Sequence, residues 1–166
     1  MPDALLAVAD APAADGFFAF EADFVASLRC IPMSVRLKLD RAGIKLSLRQ
    51  WSCFTRLDRQ ALVDAPCRSG PEIDRYAGRL VALVRDRAGE TAKPLPEPVD
   101  PQWEGADRPP PAVVAFANGQ GLAAPTPRQW AALSELQRFA LVKLSRDNHD
   151  NVNFMPAMRE FGLLAD

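Results

Sequence analysis

IPMSVRLKLDRAGIKLSLRQWSCFTRLDRQALV, residues 31–63, decides how this chain reads, because PPAVVAFANGQGLAAPTPRQWAALSELQRFALV at 110–142 repeats its pattern with a single one-residue gap. Each stretch runs Pro, apolar segment, Gly with Ile or Leu, a Ser or Thr, the string RQW, a second Ser or Thr, an Arg and LeuVal. Shared punctuation over low identity is the mark of a duplicated supersecondary unit.

The punctuation has a mechanism. Ser47 stands three residues before Gln50, and Thr126 three before Gln129 with Pro127 at the first helical position, so each copy carries a capping box. Thr55 with Asp58 and Ser134 with Gln137 repeat the signal eight residues on. A short helix carrying Trp51 or Trp130 is therefore expected to turn into a longer one, ending near Val63 and Leu144. The element before each box is ambiguous in the first copy. VRLKLD at 35–40 and IKLSL at 44–48 alternate strictly and could form a β-hairpin around ArgAlaGly. AVVAFANGQG at 112–121 does not alternate, follows prolines and ends in glycine, as a helix does. Since copies should share a fold, 32–42 and 112–120 are expected to be helices, with Gly43 and Gly121 at their C-termini.

Working outward, Ser69, Pro71 and Glu72 start another helix, whose stripe of Ile73, Tyr76, Ala77, Leu80 and Val84 runs to Gly89. Pro156, Met158 and Phe161 take the corresponding places near the C-terminus. ETAKPLPEPVDPQWEGADRPPP at 90–111 has seven prolines and no periodicity, which reads as an extended connector pinned by Trp103. FFAFEADFVASL at 17–28 reads as a helix or a docking arm. The expected architecture is all-α, with two pseudo-repeated helical units joined by a proline-rich connector. Its parts are a disordered extension at 1–16, a first unit at 17–89, the connector at 90–111 and a second unit at 112–166, together one compact domain.

Composition sets the outer bounds. With 48% hydrophobic and 25% charged residues in 166, the chain is globular in character and long enough to bury a core. No run approaches the roughly 20 apolar residues of a membrane span, and the N-terminus carries acids where a secretory signal carries Lys or Arg, so a cytoplasmic protein is expected. Cys30, Cys53 and Cys67 match neither a disulfide framework nor a metal knuckle. No phosphate-binding glycine loop, zinc-spaced set or nucleophile elbow is present, so neither an enzyme nor a bound cofactor is expected.

Net charge is −1 but unevenly placed. Residues 29–49 hold Arg29, Arg36, Lys38, Arg41, Lys45 and Arg49 against Asp40 alone. Arg36 and Lys38 thus become candidate contacts for an acidic partner. The helix-turn-helix look of LSLRQWSCFTRLDRQALV raises nucleic-acid binding, which the near-neutral charge and the mixed signs of Arg56, Asp58, Arg59 and Gln60 disfavour. SRDNHDNVNF at 145–154 is where the second copy departs from the first, by about six polar residues that include the only histidine, and polar loops on rigid scaffolds commonly carry function. Arg146, His149, Asn151 and Asn153 are the candidate partner-binding residues there.

The segments FEADFVASLRCIPMSVRLKLDRAGIKLSLRQW at 20–51 and RQWAALSELQRFALVKLSRDNHDNVNFMPAMREFGLL at 128–164 resemble the nitrate reductase-associated protein family, found mainly in cyanobacteria. The resemblance covers residues 18–164, is weak in the connector and excludes 1–16. It implies an accessory protein for assimilatory, molybdenum-dependent nitrate reductase that binds the apoprotein and assists insertion of its molybdopterin cofactor or iron–sulfur cluster. It supplies no catalytic or metal residues, and homo-oligomerisation stays open. Two other classes stand beside it, a helix-turn-helix-like regulator and a small thiol or metal-binding redox protein acting through Cys30, Cys67 and His149.

Overall fold

The computed structural model describes residues 17–96, 101–146 and 151–165, and the chain is mostly helical. The extension at 1–16 and His149 lie outside the described residues. Two compact units divide the chain, one built mainly from residues 21–96 and the other from 101–165 with 18–20.

The N-terminal unit contains α1 (Ala22–Val25), α2 (Met33–Ala42), β1 (Ile44–Lys45), α3 (Leu48–Cys53), α4 (Arg56–Asp64), α5 (Gly70–Leu83) and β2 (Lys93–Pro94). The alternating stretch is a helix. Val35 and Leu39 join the unit's core, while Met33 and Leu37, one helical turn apart on another face, are buried as well. A helix buried on two faces acquires the apolar alternation of a strand, which is why the first copy looked like a hairpin. Pro32 offers no side-chain acceptor at its start, and the buried Glu21 carboxylate accepts from the Met33 amide instead, at 3.1 Å. Gly43, with φ of 70°, ends it.

Beyond Gly43 a two-residue strand pair is added to the mostly helical fold. Ile44 and Lys45 pair antiparallel with Pro94 and Lys93, and the Leu95 amide donates to the Gly43 carbonyl at 3.0 Å. The proline-rich segment cannot be helical, so its remaining backbone donors find partners along the extended edge left by α2.

Both expected capping boxes in this unit form, Ser47 with Gln50 and Thr55 with Asp58, and Ser69 caps α5. The RQW string acquires distinct roles. Arg49 pairs with Glu90, Gln50 closes its box and donates to Glu90 at 2.7 Å, and Trp51 is fully buried with Nε1 donating to the Leu28 carbonyl at 2.8 Å. Leu28 adopts a left-handed backbone, φ 58°, to present that carbonyl. After Leu83 the last helix widens into a π-helical turn, Val84–Ala88, closed by Gly89. Arg87 on that turn reaches Asp58 at 2.9 Å.

The C-terminal unit contains α6 (Pro111–Gly119), α7 (Pro127–Ala132), α8 (Glu135–Arg146), a 3-10 turn at Asn151–Asn153 and α9 (Phe154–Glu160). Thr126 with Gln129 and Ser134 with Gln137 form the expected boxes. Phe139, Ala140, Leu141 and Val142 are all buried, so α8 is the unit's central helix, packed against α6 and α9. Trp130 is fully buried and donates to the Gly105 carbonyl at 2.9 Å. Trp103 is buried edge-on against Phe139, ring centres 5.0 Å apart. Phe18 and Phe20 stack on one another and meet Phe161 edge-on, and the Phe20 amide donates to Glu160 at 3.2 Å. Among the described residues no helix is long and apolar enough to cross a membrane.

Candidate functional site

Arg146 closes α8, is exposed, and donates to the Gln102 side chain at 2.9 Å, which ties the end of the helix to the connector. Ser145 turns back to the Val142 carbonyl. Asn151 opens the 3-10 turn, and Asn153, half-buried, precedes α9 without capping it through its side chain. Between them Val152 is 78% exposed, and Met155 is 43% exposed one turn on. Asn153 is thus flanked in the chain by exposed apolar side chains, while His149 lies outside the described residues.

Arg36 and Lys38 belong to the other unit and stand two apart on α2, positions that point to different sides of a helix. Both are half-buried. Lys38 turns inward, with its ammonium donating to the Val63 carbonyl at 2.6 Å and the Ala65 carbonyl at 2.7 Å and approaching that of Leu62 at 3.5 Å. It also lies 5.8 Å from the centre of the Tyr76 ring. Burial lowers its pKa. Lys38 thus neutralises the carbonyl end of α4, a position where helix dipoles favour cations.

Beside it is a constellation that sequence reading left as core packing. Tyr76 donates to the Leu62 carbonyl at 2.8 Å, Arg41 to the Cys67 carbonyl at 3.3 Å, and the Cys67 thiol faces the Lys38 carbonyl at 3.7 Å. Burial pushes the Cys67 thiol up and the Tyr76 phenol well above its ordinary range, so both are neutral. Against Tyr76 opens a cavity of about 130 Å³ lined by Ala65, Pro66, Glu72, Arg75, Tyr76 and Arg79. The available signal was the spacing 72, 75, 76 and 79, a single face of α5 with two arginines flanking the chain's only tyrosine.

In the two helices that would read DNA in a helix-turn-helix, one arginine each is turned inward. Arg59 donates to the carbonyls of Trp51, Ser52 and Leu28, and Arg138 to those of Trp103 and Leu133. These guanidiniums stitch the helical corners together. Among the described residues no group of three His, Cys, Asp or Glu could hold a metal ion, and the three cysteines are unpaired.

These features define a mostly helical protein whose described polar clusters serve either its own helix ends or open surface clefts. The chain belongs to the conserved nitrate reductase-associated protein family, whose model matches residues 17–161. A search of curated proteins and one of solved structures found no match.

Proposed function

We propose that this protein is a non-catalytic accessory factor that assists maturation or assembly of a molybdenum-dependent assimilatory nitrate reductase by binding the enzyme's apoprotein. The observation that carries the reading is the family match across 17–161. Two features support it. Arg59 and Arg138 of the helix-turn-helix-like corners are consumed by backbone carbonyls, which weakens a nucleic-acid role. The surface around Arg146, Asn153, Val152 and Met155 combines exposed apolar and hydrogen-bonding groups, as protein-binding surfaces do. In this reading Arg146, His149, Asn151 and Asn153 contribute to recognition and Arg36 adds positive charge, whereas Lys38 acts as an internal clamp.

The two units are, in the same proposal, copies of one ancestral element. Each buries the Trp of its RQW string and directs the Arg eight residues later to backbone carbonyls. The function is tested by affinity purification of the tagged protein from nitrate-grown cells. Recovery of the nitrate reductase polypeptide is expected; recovery of DNA without that enzyme would overturn the proposal.

A further inference from the structure

The cavity against Tyr76 has a floor and a rim of different chemistry. Ala65, Pro66 and the Tyr76 ring supply apolar surface, and the phenol cannot serve a ligand because it donates inward to Leu62. At about 130 Å³ the space is close to the roughly 150 Å³ cavity that admits a benzene ring, enough for one branched or aromatic side chain. The rim carries Arg75, Arg79 and Glu72. Glu72 is committed to the start of its own helix, accepting from the Ser69 hydroxyl at 2.9 Å and from the Arg68 amide. Arg75 uses only Nε, on the Pro71 carbonyl, and Arg79 makes no hydrogen bond or ion pair among the described residues. The rim thus carries two guanidiniums and one carboxylate that is already occupied, and the Lys38 ammonium lies 5.8 Å from the centre of the Tyr76 ring. Guanidinium forks match carboxylates in bidentate geometry.

We infer that this cleft is a docking site for an acidic peptide segment of a partner protein, one that inserts an apolar side chain against Tyr76 and Pro66 while an adjacent carboxylate engages Arg75 and Arg79. The inference rests on the proposal that the chain works by binding a partner and names the surface that does so. A lone anion would leave the apolar floor unused, and an uncharged apolar segment would leave the rim without a counter-charge.

Because Tyr76 is the chain's only tyrosine, ring-labelled tyrosine gives one spin system that reports on the floor. The probe is the peptide Gly-Gly-Asp-Leu-Asp-Gly, titrated to millimolar concentration into the full-length protein. Saturable shifts of the Tyr76 ring are expected, with at least about tenfold weaker binding to Arg75→Gln/Arg79→Gln, since the charge-assisted bonds are lost. An unchanged melting temperature and Tyr76 spectrum in the free variant shows that it is folded, and the single variant Arg79→Gln stands in if the double one is not. The inference is overturned if the ring does not respond. It also falls if the Asn-Leu-Asn analogue produces the same shifts, or if acetate alone does. Affinity purification then separates the two claims: nitrate reductase captured equally by wild type and variant sinks the cleft and leaves the proposed function standing. Capture by neither, beside a positive titration, sinks the proposed function and leaves the cleft.

Discussion

Trp51 and Trp103 hold their indole N–H groups in opposite circumstances. Trp51 donates to the Leu28 carbonyl, whereas the Nε1 of Trp103 is buried and has no hydrogen-bond partner among the described residues. A buried donor left unsatisfied costs about 1–3 kcal/mol. Replacement by Phe deletes a bond in one case and a liability in the other. Trp51→Phe is therefore expected to lower stability by at least about 1 kcal/mol more than Trp103→Phe, as read from urea unfolding midpoints. Equal losses would show that Trp103 finds an acceptor in solution. The same contrast marks what single residues disclosed in advance. Trp burial was legible from the RQW repeat, but the direction of each N–H was not, because Leu28 and Gly105 lie over twenty residues from the indoles they serve.

At the scale of elements, the caps are where stability couples to pH. Partial burial works to raise the Asp58 carboxyl, and the hydrogen bonds from Thr55 and Arg87 more than reverse it, leaving it below the ordinary carboxylate range. A depressed acid contributes stability above its unfolded value of about 3.9, and that contribution disappears as pH falls through the folded value. Wild type should thus exceed Asp58→Asn in stability at pH 6 and converge with it near pH 2, in paired denaturation series; a constant gap would refute the coupling. The ladder offers a second test. Lys45 and Lys93 are directly opposed and exposed, and like charges in register are unfavourable. Lys93→Glu is expected to raise stability by about 0.2–1 kcal/mol, measured by thermal melting. The helices were legible because capping boxes are local chemistry, fully contained within four residues. The ladder was not, since Ile44 and Lys93 meet only through tertiary geometry, and the arginine-rimmed cleft was missed because α5 read as a core helix before Pro66 was known to face it.

At the scale of the whole molecule, Arg146 carries the test of the C-terminal surface. Arg146→Ala should shift melting temperature little while reducing nitrate reductase activity in cells, because exposed substitutions usually stay within about 0.5 kcal/mol. Loss of stability with activity kept in proportion to surviving protein would make that surface structural. The charge inventory is also lopsided, with sixteen arginines and four lysines, Lys38, Lys45, Lys93 and Lys143. Since the Lys38 amine is enclosed by the carbonyl end of α4, amine-reactive cross-linkers will find few handles on this protein. They should join Lys45 to Lys93 readily and leave Lys38 unlabelled, and they will pass over the arginine cleft altogether. Mapping a partner's footprint will need carboxyl- or guanidine-directed chemistry.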